Sequence, residues 1–123
     1  MKRSFPNILT EEVAVTAAFY KDLLGLTEQF SSEWFVNLVD PDNSGIELGI
    51  LRQSHEIVPV APRHAPAGII LTFVVENCDL VYERAQAMKA DVLEAPKNMP
   101  YGQRRLILKD PAGTIIDISS LIK

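Results

Sequence analysis

Two carboxylates stand at matching places in two similar segments of this chain. Glu47 lies within GIELGI and Asp117 lies within TIIDIS. Each follows an Asp-Pro pair and a glycine turn, and both features recur after 70 residues, since the Asp-Pro pairs begin at Asp40 and Asp110. An acid inside an apolar strand suits acid–base chemistry, cation binding or metal ligation. The constant offset indicates a duplicated hairpin.

The apolar periodicity predicts the same order of elements in both halves of the chain. In the first half it predicts a strand over 3–9, a helix from its N-cap Thr10 to Leu24, and strands near 26–30, 33–39 and 45–51. In the second half it predicts a strand over 69–75, a helix capped by Asp79, and strands near 91–94, 104–109 and 114–120. The expected fold is α+β, with two βαβββ modules in tandem forming a curved mixed sheet around a cavity, helices on the outer face.

The proposed domain is 1–123, made of modules of about 1–52 and 68–123 that a Pro-rich linker, 53–67, joins. His55 and His64 lie in this linker and are interpreted as solvated loop residues. The composition is 47% hydrophobic with a formal net charge of −4, so it shows no basic footprint for nucleic acid or membrane. The lone Cys78 and the lack of an apolar leader predict a cytoplasmic protein.

Strand alternation separates a uniformly apolar face from a mixed face. We expect the apolar face to lie under the helix, which predicts Trp34, a member of that face, as a core residue. A mixed face is typical of a ligand cavity, and Gly45 and Gly49 would leave space beside Glu47. The alternative is a structural ion-pair network; in either case we expect Arg105 to pair with one of the two acids. The candidate ligand-binding residues are Phe5, Asn7, Phe35, Asn37, Glu47, Thr72, Tyr101, Arg105 and Asp117.

Four stretches, AFYKDLLGL, GIELGI, YGQRR and DPAGTIIDIS, together resemble the vicinal oxygen chelate superfamily, which holds glyoxalase I, bleomycin resistance proteins and extradiol dioxygenases. The resemblance covers nearly the whole chain. In metal-using members four side chains ring a divalent metal. The resemblance places these positions at Phe5, Glu47, Ile70 and Asp117, so both histidine positions are apolar. No metal or other cofactor is expected, and the two carboxylates alone suit at most a weak Mg or Ca site.

Two functions follow from this resemblance. The favoured one is a metal-free homodimer that sequesters or senses a small organic compound, cationic or aromatic, with no nucleic-acid or membrane partner. The alternative is a glyoxalase-like lyase or isomerase, or a dioxygenase, acting on a small oxygenated substrate. Glu47 or Asp117 would then be the catalytic base, and Arg105 would hold a substrate oxygen.

Overall fold

The computed structural model describes residues 1–122, in two compact units that divide between Pro66 and Ala67. Each unit has the order βαβββ and forms a four-stranded mixed sheet with one helix, so the predicted fold class is confirmed. The first unit contains β1 (Asn7–Thr10), α1 (Val13–Leu24), β2 (Thr27–Ser31), β3 (Phe35–Asp40) and β4 (Asn43–Arg52). The second contains β5 (Ile70–Val74), α2 (Cys78–Ala87), β6 (Asp91–Asn98), β7 (Gln103–Lys109) and β8 (Ile115–Leu121).

In the first unit the strand order is β1-β4-β3-β2, with β1 parallel to β4. Helix α1 packs on β3 and β4 and ends at Gly25, whose φ of 71° is the left-handed C-cap that its position predicts. Its N-cap is Glu12, so the prediction of Thr10 is wrong by two residues; the Thr10 hydroxyl accepts from the Glu12 N–H, ahead of the first helical turn. The core beneath the helix includes Tyr20, Leu23, Leu38, Leu48 and Ile50, all with 0–2% exposure.

In the second unit the strand order is β5-β8-β7-β6, with β5 parallel to β8. The N-cap of α2 is Asn77, whose side chain accepts from the Asp79 N–H at 3.0 Å, so the prediction of Asp79 as the cap is wrong by two residues. An Asn side chain at this place satisfies a backbone donor that the helix itself leaves unpaired. The core on the helix side includes Cys78, Val81, Ala85, Leu106, Leu108, Ile116 and Ile118.

The two hairpins that carry the acids differ in register. Glu47 lies opposite Val39 on β3, whereas Asp117 lies opposite Ile107 on β7, so the two pairings differ by two residues relative to the sequence repeat. Because side chains alternate with period two, an even shift leaves each acid on the same type of face. Both carboxylates therefore lie on the sheet face away from the helix of their own unit.

The Pro-rich segment folds onto the first unit, where it contacts Trp34. The indole stacks on the His55 ring with 4.0 Å between centroids and 16° between planes. Trp34 precedes β3 and is only partly buried, so its prediction as a core residue is wrong. The Arg63 guanidinium donates to the carbonyls of His55 and Val58, which holds the segment in shape. Within residues 1–122, neither helix has the length and apolar character needed to cross a bilayer.

Candidate functional site

Glu47 lies on β4 and its carboxylate binds an arginine from the segment before β1. Arg3 donates from Nε to both carboxylate oxygens, at 2.9 and 2.8 Å, and from Nη2 to Oε1 at 2.5 Å. The Glu47 side chain is only 7% exposed, whereas that of Arg3 is 52% exposed. A two-point contact of this kind fixes the orientation of the guanidinium as well as its distance. Glu47 is thus a buried anion with a surface-facing cation above it.

Asn37 connects this ion pair to the middle of the sheet. Its Nδ2 donates to Glu47 Oε1 at 3.2 Å, and the residue is 2% exposed. Its Oδ1 is buried and has no hydrogen-bond partner among residues 1–122. A buried acceptor without a donor costs free energy, and such exceptions in native structures call for a water, a ligand or a functional reason.

Gly49 lies on β4 between two residues of the site, one on each neighbouring strand. It pairs with Asn7 on β1 and with Asn37 on β3. A Cβ at Gly49 would lie 2.0 Å from Asn7 Oδ1 and 3.1 Å from Phe35 Cε1. The glycine therefore admits the Asn7 amide and the Phe35 ring over the strand, instead of leaving empty space as the sequence had suggested. At Gly45 an added Cβ would meet only Asn43 Oδ1, at 3.3 Å.

Aromatic rings border the polar groups on this face. The Arg3 guanidinium lies over the Phe5 ring at 4.8 Å from its centroid, a cation–π distance. The Phe35 ring lies 6.0 Å from that of Phe30, which is 53% exposed. We call the whole set the Glu47 cluster. It comprises Arg3, Phe5, Asn7, Phe35, Asn37, Glu47 and Gly49.

The hydrogen bonds from Arg3 lower the pKa of Glu47; burial opposes this shift, and the Asn37 amide and the Arg3 charge reinforce it. The same contact raises the pKa of Arg3. Glu47 is accordingly an ionised hydrogen-bond acceptor at neutral pH and a weak proton acceptor. This disfavours Glu47 as a general base, since a base works best with a pKa near the working pH.

Acid should weaken the contribution of Glu47 to stability. Because the folded-state pKa is below the ordinary value of 4.5, the contribution is complete above that pH and is lost as pH falls through the folded-state pKa. We expect wild type to be more stable than Glu47→Gln at neutral pH, with the difference shrinking below about pH 4.5. Urea unfolding of both proteins from neutral pH to pH 3 measures this. A difference that grows on acidification would contradict it.

The second unit holds a smaller polar group around Asp117. Its Oδ2 accepts from the Thr72 hydroxyl at 3.2 Å and its Oδ1 accepts from the Ser119 hydroxyl at 2.6 Å. Thr72 is also the residue directly across the parallel ladder from Asp117, whereas Ile70 lies opposite Ile115. Two neutral hydroxyls donate hydrogen bonds to this carboxylate, and among residues 1–122 no cationic side chain forms an ion pair with it.

Arg105 does not make the ion pair predicted for it. It lies on the same face of the second sheet as Asp117, next to Ser119, but its Nη2 donates to Glu94 on β6 at 3.3 Å. The bulges in β6 on both sides of Glu94 bring this acid beside Arg105, and such irregular register cannot be read from alternation alone. Tyr101 lies in the turn before β7 and is 59% exposed.

Arg3 belongs to this site but was not among the residues predicted from the sequence. It has the same strand parity as Phe5 and Asn7, so the alternation that selected those two residues also pointed to Arg3. Within each unit the structure brings predicted residues together: Phe5, Asn7, Phe35, Asn37 and Glu47 in the first, and Thr72 and Asp117 in the second.

The family of the chain follows from a family model that matches residues 5–118. This model describes the glyoxalase/bleomycin resistance protein/dioxygenase superfamily, and the chain belongs to it. No curated protein matches the sequence.

Solved structures with this fold include a glyoxalase/bleomycin resistance protein/dioxygenase family enzyme from Burkholderia phytofirmans PsJN. It has 25% identity and a TM-score of 0.80, over 97% of this chain and 98% of that one. A member of the superfamily from Sphaerobacter thermophilus DSM 20745 has 20% identity and a TM-score of 0.78, over 98% and 97%. A lactoylglutathione lyase from Agrobacterium tumefaciens has 19% identity and a TM-score of 0.70, over 94% and 90%. The last two show a likeness of fold alone.

The residues at the positions implied for a metal do not fit a transition-metal centre. Phe5 and Ile70 carry no donor atom, and both oxygens of Glu47 already accept hydrogen bonds from Arg3. A divalent cation at Glu47 would be repelled by the positive charge of Arg3. It would also lack the imidazole or thiolate ligands that transition metals prefer.

Proposed function

We propose that this protein binds a small organic compound, without a metal, at the Glu47 cluster. The observation that carries the proposal is the buried Asn37 Oδ1, which has no hydrogen-bond partner within the described residues 1–122 although the amide lies among ordered polar groups. A purely structural network would be expected to satisfy every buried member. A buried, unpaired acceptor beside an ion pair and aromatic rings is instead suited to a bridging water, or to a ligand donor once the side chains that cover it move.

Binding is favoured over catalysis by the state of Glu47. Its lowered pKa makes it a poor base, and Arg3 already supplies the positive charge that a cationic ligand would bring. The exposed Phe30 and the half-buried Phe35 offer ring surface for the apolar part of a ligand. Sequestration or sensing of a small compound is the activity these features support. Association of two copies into a homodimer stays a prediction.

The variant Asn37→Leu separates a binding role from a structural role. Leucine keeps the branching at Cγ, removes the unpaired acceptor and adds buried apolar surface, but it also removes the Asn37 donor to Glu47. We therefore expect its free energy of unfolding to stay within about 1–2 kcal/mol of wild type. We expect its ligand affinity to fall at least about tenfold. A thermal-shift screen of a compound library in EDTA identifies the ligands, since a compound that binds only the folded state raises Tm.

Asn98→Leu is the matched control, because Asn98 lies on β6 of the second unit and its Oδ1 accepts from Arg104. Compounds that stabilise wild type and Asn98→Leu, but not Asn37→Leu, support the proposal. Compounds that stabilise all three proteins equally, or that bind only after a divalent metal is added, would overturn it.

A further inference from the structure

We propose that Arg3 is the ligand anchor of the Glu47 cluster and that it selects a planar carboxylate, such as an aromatic acid. This inference rests on the proposed function and adds the chemical class of the ligand. It replaces the cationic ligand expected from the sequence, because Glu47 already has a cation, Arg3, as its partner.

The donors of Arg3 are only partly used. A guanidinium has five N–H donors arranged in two forks. The contacts to Glu47 use the fork formed by Nε and Nη2. Among residues 1–122, no acceptor contacts Nη1, and the side chain is 52% exposed. The second fork, formed by Nη1 and Nη2, therefore has N–H donors with no acceptor among residues 1–122, on a half-exposed side chain and in a geometry that matches a carboxylate.

Arg3 is also held in place before any ligand arrives. Glu47 fixes one edge of the guanidinium, and the Phe5 ring supports its face at 4.8 Å. A side chain that is already ordered loses little conformational entropy on binding, which favours affinity. Glu47 acts here as a positioning residue, and the Asn37 amide helps to compensate its charge.

The remaining surface suits a flat apolar body. The rings of Phe30 and Phe35 lie 6.0 Å apart on the same face of the first sheet, and the Phe35 ring reaches over Gly49, the next residue of that face along β4 from Glu47. An aromatic acid could place its carboxylate on Arg3 and its ring against these side chains. A cation of the same shape would instead have to displace Arg3 from a two-point ion pair.

Three probes of nearly identical shape test the charge preference: benzoate, neutral benzamide and cationic benzamidinium. Titration followed by NMR, in EDTA, gives their dissociation constants for the intact chain. We expect benzoate to bind more tightly than either analogue. Arg3→Met should weaken benzoate binding about 10- to 100-fold, and Arg3→Lys, which keeps the charge but loses the fork, by a smaller factor.

Arg104→Met is the matched control, because the Nε of Arg104 also donates to both carboxylate oxygens of an acid, Asp79, at 3.1 Å. This arginine lies in the second unit, and its loss should leave benzoate binding unchanged. Because Arg3 precedes β1 and is half exposed, its variants should fold.

The possible outcomes separate a failure of the carboxylate anchor at Arg3 from a failure of the proposed binding function. Benzamide or benzamidinium binding that is kept in Arg3→Met and lost in Asn37→Leu would overturn the carboxylate anchor and leave the proposed function standing. Benzoate binding that is equal in wild type, Arg3→Met and Asn37→Leu would overturn both. No benzoate binding at millimolar concentration would overturn the anchor.

Discussion

Gly49→Val is expected to abolish ligand binding and to lower the free energy of unfolding by about 1–3 kcal/mol. The new side chain would overlap the Asn7 amide and press on the Phe35 ring, which lie 2.0 and 3.1 Å from the position of an added Cβ. Asn7 is exposed and can turn away, so the damage falls more on the binding surface than on the core. Titration with a ligand from the screen and urea unfolding measure the two effects.

Gly45→Val is the control on the same strand and the same face. Its added Cβ would meet only Asn43 Oδ1 at 3.3 Å, in the exposed part of the hairpin. We expect this variant to keep its stability and to bind within about threefold of wild type. Equal losses of binding in the two valine variants would show that the contacts over Gly49 do not shape a binding surface.

Asp110→Ala should lower the free energy of unfolding by about 2–3 kcal/mol. The Asp110 carboxylate is almost fully buried, and its Oδ1 accepts from the backbone N–H groups of Ala112 at 2.9 Å and Thr114 at 2.8 Å. Alanine would leave the buried Thr114 N–H without this acceptor. Asp110→Asn, which keeps an acceptor oxygen, should lose less.

The sequence repeat supplies the comparison for this turn. Asp40 is the counterpart of Asp110, but within the part of the chain that the structure describes its Oδ1 accepts only from the exposed Asp42 N–H, at 2.8 Å. Asp40→Ala should therefore cost about 0.5–1 kcal/mol. Urea unfolding of the three variants checks the order. Equal losses in the free energy of unfolding for Asp40→Ala and Asp110→Ala would contradict the expectation that the buried hydrogen bonds of Asp110 contribute more to stability.

The elements and faces were predictable because burial imposes a period on the sequence. Leu48 and Ile50 alternate with Glu47 and Gly49, and the structure buries the first pair under α1 while it places the second pair on the opposite face. The same alternation predicted that Asn7, Asn37 and Glu47 share one face of the first sheet. Alternation predicts the face of each side chain correctly here because one face of each sheet packs against a helix and the other does not.

The partners of the charged residues were not predictable in the same way. Arg105 pairs with Glu94 because bulges alter the register of β6, and Arg3 reaches Glu47 from the irregular segment before β1, which begins at Asn7 directly after Pro6. Trp34 stacks on His55, which comes from a Pro-rich segment with no periodicity to read. Contacts of this kind depend on irregular backbone, which a period of two does not describe.

The most direct test of a metal-independent site at the Glu47 cluster is NMR mapping of the strongest ligand from the screen. The measurement uses ¹⁵N-labelled protein in EDTA and follows the side-chain amides of Asn7 and Asn37 together with the backbone amide of Gly49. We expect these three groups to shift together with increasing ligand, and added divalent metal to change neither the shifts nor the affinity. Shifts confined to residues outside the cluster, or shifts that require added metal, would contradict this expectation.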